Sequence, residues 1–186
     1  MELTNTGWVM KRLYPTGTYV DMLKPHEADI HIEDIAWSLG MQCRFGGCVA
    51  EFYSVAQHSV FVSNMLPREL AFQGLMHDAH EAYVQDINTG LKQSLGQPFM
   101  TLDDAWSDKV RMHFGLPKKL DPQVKRADLI ALATERRDLG LGDDVVWPTL
   151  RGLQPADGIL TPLPPRRAIE LFLQTYYKFN SEGMPK

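Results

Sequence analysis

His77 and Asp78 stand side by side inside an otherwise apolar, helix-like stretch, GLMHDAHEAYVQDI. An imidazole nitrogen and a carboxylate oxygen presented together can hold one divalent metal ion. Two protein atoms do not complete a coordination sphere, so further ligands must come from elsewhere in the chain. His58 in YSVAQHSVFV and Asp128 in VKRADLIALATE suit that role, since each is a polar group in a segment that otherwise reads as buried helix. Together the four offer two nitrogens and two carboxylates and no thiolate. That donor set suits zinc, manganese, cobalt, iron(II) or magnesium and argues against copper(I) and iron–sulfur clusters.

A coordinated divalent ion polarises a phosphoryl oxygen and can bring the pKa of its water down to about 7. On a helix, His77 and Glu81 at i, i+4 share a face, and Asp78 and Glu81 at i, i+3 are neighbours. Glu81 is therefore the candidate for moving a proton to or from the reacting groups. Cations that could hold an anionic substrate stand at Arg44 in CRFGG, Lys92 in TGLKQ, and Lys125 or Arg126 just ahead of Asp128. This constellation describes phosphate-ester hydrolysis. Taken singly, each residue has a plainer reading. A histidine on an apolar helix is ordinarily a satisfied core group, and His26, His31 and His113 are left as such; His80, one step from the metal face, could lie behind the metal ligands or in solvent. The joint order, H, then HD-x-x-E, then D, is what points to a metal site.

That order resembles the HD-domain superfamily of metal-dependent phosphohydrolases. The segments CRFGG, FYSVAQHSVFVSNML, LMHDAHEAYVQDINTGLK and VKRADLIALATERRDL carry the likeness across about half of the chain, Cys43 to Leu139. They are most similar to the 5′-deoxynucleotidase-like branch and its phage relatives that hydrolyse deoxynucleoside triphosphates. The resemblance implies an all-α bundle, one or more divalent metal ions held by His58, His77, Asp78 and Asp128, and Glu81 as the acidic catalytic group. It further implies Arg44 at the substrate phosphate, Asp86 near the sugar and Lys92 as a basic residue of the next loop. Phe45, adjoining Arg44 in a glycine-flanked loop, is the aromatic best placed to stack a base; Trp37 and Trp147 read rather as packing residues. Cleavage at the α-phosphorus would give nucleoside plus phosphate from a monophosphate, or nucleoside plus triphosphate from a triphosphate.

The elements that must position these residues are helices. IEDIAWSL places Ile32, Ile35, Ala36 and Leu39 on one face; RFGG then breaks the pattern. SVAQHSVFVSNML follows with Ser54 as N-cap, and one long helix is predicted over PRELAFQGLMHDAHEAYVQ, with Pro67 in or near its first turn. DINTGLKQSLGQP reads as a loop or broken helix. LDDAWSDKVRMHFG, DPQVKRADLIALATERRDLG and RRAIELFLQTYYKFN complete the helical set, with a proline- and glycine-rich stretch over 140–165. The first 30 residues are rich in turn formers, with a short strand in TGTYVDML that could form half of a hairpin. The expected architecture is an all-α helical bundle forming a single domain over residues 1–186.

Composition agrees. The chain has 186 residues, 44% apolar and 23% charged, enough for one domain with its own core. A net charge of −4 without a basic block is a poor footprint for duplex nucleic acid. No apolar run could span a bilayer, and MELTNTGWVMKRL lacks the order of a signal peptide, so a cytoplasmic location is expected. Cys43 and Cys48, spaced C-x4-C with no second pair, read as small residues around a turn rather than a zinc or disulfide site. The last helix carries Ile169, Leu171, Phe172, Tyr176 and Tyr177, enough to close the bundle or to make a homo-oligomer contact. Rival readings are a nucleotide-sensing module without catalysis, an HD hydrolase of another nucleotide such as an alarmone, and a purely structural bundle. The last would leave four titratable groups buried together without a metal, which is costly.

Overall fold

The stripe Ile32, Ile35, Ala36 and Leu39 is buried along helix α1 (Ile32–Met41). The computed structural model describes residues 10–142 and 144–181; the first nine residues of the turn-rich N-terminal stretch lie outside it. Among the described residues the remaining helices are α2 (Val55–Asn64), α3 (Arg68–Met76), α4 (Glu81–Val84), α5 (Thr89–Leu95), α6 (Gln97–His113), α7 (Pro122–Asp138) and α8 (Pro165–Ser181). The two strands, β1 (Met10–Arg12) and β2 (Tyr19–Asp21), form an antiparallel hairpin, with Lys11 opposite Val20. The chain is an all-α bundle with this small hairpin at its edge.

Helix α2 lies at the centre, packed against α1, α3, α7 and α8. Ser54 caps it as expected, accepting a hydrogen bond from the Gln57 amide. Two glycines set its surroundings. A Cβ on Gly40 would fall 2.2 Å from Ile169 Cγ1, so α1 and α8 cross at a distance that only hydrogen permits. A Cβ on Gly74 would meet Leu66 Cδ1 at 2.5 Å and the Ser63 Cα at 3.1 Å, which brings α3 equally close to the end of α2. Helix α8 buries Ala168, Ile169 and Phe172 against α1 and α2 and so closes the bundle, while Tyr177 reaches outward to donate to Glu33. The hairpin is held down by Asp34, which accepts from the Thr16 amide and hydroxyl, and by Lys11, which donates to the Ala82 carbonyl.

The predicted long third helix is divided. α3 stops at Met76, and residues 77–80 form tight turns before α4 begins at Glu81. The bonds Ala79 N to Met76 O, Glu81 N to Asp78 O and Tyr83 N to His80 O all span three residues, the pattern of a tighter helix. The apolar positions Leu75, Met76, Ala79, Ala82 and Tyr83 stay buried throughout, which is why periodicity alone reads straight through the break. The segment read as a loop or broken helix contains α5, capped by Asn88, whose side chain accepts from the Leu91 amide. α6 begins at Gln97, ahead of the predicted Leu102 start, with Pro98 in its first turn. No described helix is long and apolar enough to cross a membrane.

Candidate metal centre

Three polar side chains from three elements meet where α2, α3 and α7 pack. His58 lies on α2, His77 caps the C-terminus of α3, and Asp128 lies on α7. One ligand atom from each lies within 4.8 Å of the other two. His58 Nε2 is 3.2 Å from Asp128 Oδ1, and His77 Nε2 is 3.9 Å from the same oxygen. Asp78, in the turn after α3, brings Oδ2 to 3.0 Å from His77 Nε2 and 3.6 Å from His58 Nε2. The tight turn that breaks the predicted helix thus delivers His77 and Asp78 to one point.

The other face of each imidazole is tied back. His58 Nδ1 lies 2.5 Å from Glu135 Oε1, and His77 Nδ1 lies 2.7 Å from the Gly74 carbonyl. Both Nδ1 atoms therefore donate, and both Nε2 atoms point into the shared space, where each offers a lone pair once unprotonated. Neither buried Nε2 makes a hydrogen bond of good geometry with any described residue, although carboxylate oxygens are close. Two buried imidazole nitrogens aimed at one point, beside two carboxylates, fit a divalent ion. Asp78, Asp86 and Glu135 lie within 4.0 Å of Arg44, and Lys92 and the exposed Lys125 pair with Glu81 and Asp128 around the same point.

The remaining predicted residues gather around this point. Glu81 opens α4 and is buried, with Oε1 3.7 Å from Lys92 Nζ and Oε2 without a hydrogen-bond partner. Burial, reinforced by the Asp78 and Asp86 charges, raises its pKa well above the usual carboxylate range. Lys92 on α5 also pairs with Asp103 on α6, at 3.3 Å. His80, buried, faces the same Asp103 at 3.5 Å, so it lies on the Lys92 side rather than in solvent. Asp86 Oδ2 is 3.9 Å from Arg44 Nη1, and its amide donates to Gln42 Oε1. Lys125 is exposed and pairs with Asp128 Oδ2 at 2.7 Å; Arg126 is exposed.

Arg44 is buried in the turn between α1 and α2, a turn pinned by the Cys43–Ser54 bridge and by the Arg44 amide donating to the Tyr53 carbonyl. Its Nη2 donates to Glu135 Oε2 at 3.0 Å, and its Nη1 stands 4.0 Å from Asp78 Oδ2. Burial opposes its charge, but Glu135, Asp86 and Asp78 outweigh that and keep it protonated. Phe45 follows with φ +58°, a left-handed backbone that a bulky residue seldom adopts. Its ring lies under the guanidinium, 5.1 Å from ring centre to Cζ. Trp37 packs on Tyr14, and Trp147 stacks with Arg136. Cys43 and Cys48 are free thiols.

Glu135 is a site residue that sequence patterns do not single out. It is fully buried at 0% exposure, with one oxygen on His58 and the other on Arg44. The available signal is its place seven residues after Asp128, two helical turns along the same face of α7.

The chain is 46% identical over 154 residues to the uncharacterized protein YfdR of Escherichia coli (strain K12), covering 82% of this chain and 86% of YfdR. It belongs to the YfdR family. An uncharacterized protein of Rhodobacter capsulatus is 35% identical over 130 residues, 63% of this chain and 66% of that protein. No family model matches the chain.

Proposed function

We propose that this member of the YfdR family is a metal-dependent phosphohydrolase of the HD type that cleaves 2′-deoxynucleotides at the α-phosphorus. The observation that carries the proposal is the pair of Nε2 atoms of His58 and His77. Both are buried, both belong to rings whose Nδ1 is tied back by an acceptor, and both converge with Asp78 and Asp128. The H…HD…D order and the HD-x-x-E spacing support the same reading.

His58, His77, Asp78 and Asp128 would hold the ion, which supplies Lewis acidity and an ionised water when bound. Glu81 has the position and environment to move the proton. It is buried beside the ligands, one oxygen is unpaired, and its raised pKa suits accepting a proton and passing it to the departing 5′-oxygen. Water adds to the α-phosphorus and the P–O5′ bond breaks; the nucleoside leaves with its 5′-hydroxyl. Lys92 bridges Glu81 and Asp103 and faces the site from α5. It and Arg44 would meet the phosphate charge, with Asp86 near the sugar and Phe45 against the base.

Product analysis by chromatography tests the proposal. Protein loaded with zinc, manganese, cobalt or magnesium is offered the four deoxynucleoside triphosphates, the matching monophosphates and ATP, with His77→Ala and Glu81→Gln alongside. Nucleoside plus phosphate or triphosphate from a deoxynucleotide is expected. His77→Ala should be inert, and Glu81→Gln should be slowed by about 10²-fold or more while retaining metal. Equal inertness of the wild type and His77→Ala with every metal would refute the proposal and leave a nucleotide-sensing module in its place.

A further inference from the structure

We infer that Glu135 is a positioning residue that fastens the metal ligand His58 and the substrate-facing Arg44 to one buried carboxylate, so that metal geometry and anion recognition depend on a single side chain. The inference rests on the metal-centre reading above. Oε1 accepts from His58 Nδ1 at 2.5 Å, Oε2 accepts from Arg44 Nη2 at 3.0 Å, and the side chain has no exposure to solvent. Each oxygen serves a different functional element, α2 in one case and the turn after α1 in the other.

The chemistry of the position admits little else. Only a carboxylate offers two acceptor oxygens at this spacing. A glutamine has one acceptor and one amino donor. If its oxygen faces His58, its amino group meets the Arg44 guanidinium, donor against donor, and the arginine is released. If its amino group faces His58, Nδ1 must become an acceptor. The proton then moves to Nε2, which can no longer ligate. Either orientation breaks one of the two functions. Partners of this kind behind a metal-bound imidazole are typically worth about 10- to 100-fold in metal affinity.

The experiment uses Co²⁺ as probe, because its visible absorption reports coordination geometry without any turnover. Wild type, Glu135→Gln and Glu135→Asp are titrated with Co²⁺ against a chromophoric chelator, and melting in excess EDTA checks that each variant is folded. Inorganic triphosphate binding to the cobalt-loaded proteins follows by calorimetry. Expected for Glu135→Gln is a loss of Co²⁺ affinity of about tenfold or more with an altered spectrum, or retained cobalt with triphosphate binding weakened to a similar degree. Glu135→Asp keeps both acceptors, withdrawn by one methylene, and should fall between Gln and wild type. A folded Glu135→Gln with wild-type cobalt affinity, spectrum and triphosphate binding would overturn the inference alone. If Glu135→Gln does not fold, wild-type behaviour of Glu135→Asp would do the same. A wild type that binds no Co²⁺ would overturn both this inference and the metal-centre reading.

Discussion

His58 holds its proton between two carboxylates, Glu135 on one ring nitrogen and Asp128 near the other. Burial and the Arg44 charge work against its protonation, but Glu135 and Asp128 prevail and push its pKa up to about 9. A metal ligand must be unprotonated, so if His58 ligates an ion, binding at neutral pH would expel this proton. The apparent metal affinity should therefore climb with pH, by about tenfold per unit from this group, and level off above about 9. Competition titrations at several pH values check this, and a flat profile from about pH 6.5 to about 9 would contradict it. The same shift has a sign for metal-free stability. A histidine raised above its ordinary 6.5 stabilises the fold fully below that value and loses the contribution as pH rises through about 9. At this scale the candidate ligands His58, His77, Asp78 and Asp128 are legible in the sequence as polar groups embedded in apolar, helix-like segments. Glu135 is not. Nothing in ALATERRD separates a buried glutamate from the surface ones, since its partners, His58 and Arg44, are 77 and 91 residues away.

Among the elements, α1, α2, α7 and α8 are readable from apolar spacing, and Ser54 from its capping role. The break at 77–80 is hidden because tight turns and regular helix bury the same residues there, and only the hydrogen-bond pattern distinguishes them. α5 is obscure for a different reason: it has no buried residue, so no apolar stripe announces it. Its helix rests on the Asn88 cap and on α6, and its service to the site is Lys92. The crossing of α1 and α8 gives the sharpest test of packing. Gly40→Ala must drive Ile169 aside and should cost about 1–3 kcal/mol. Combining it with Ile169→Ala should cost less than the sum of the two single changes, because the added methyl enters space that the truncation vacates. Additive losses in denaturant melts would mean that the crossing is looser than 2.2 Å implies.

For the whole molecule, the bundle is the frame that brings distant segments to one centre. α2, the turn after α3, and α7 supply the candidate ligand set; α4 and α5 add Glu81 and Lys92; the turn after α1 adds Arg44. The order of these parts along the chain is legible, while their approach in space is fixed by glycine contacts and buried hydrogen bonds that no local pattern encodes. The resulting cluster turns two imidazole nitrogens toward carboxylates in a geometry that could hold a divalent ion. Hydrolysis at phosphorus is tested most directly by running the reaction in ¹⁸O-labelled water with metal-loaded protein and a deoxynucleotide, and locating the label by mass spectrometry. Attack at phosphorus puts ¹⁸O in the released phosphate or triphosphate and none in the nucleoside, and His77→Ala yields no product. Label in the nucleoside 5′-hydroxyl, or turnover no greater than that of His77→Ala, would contradict it.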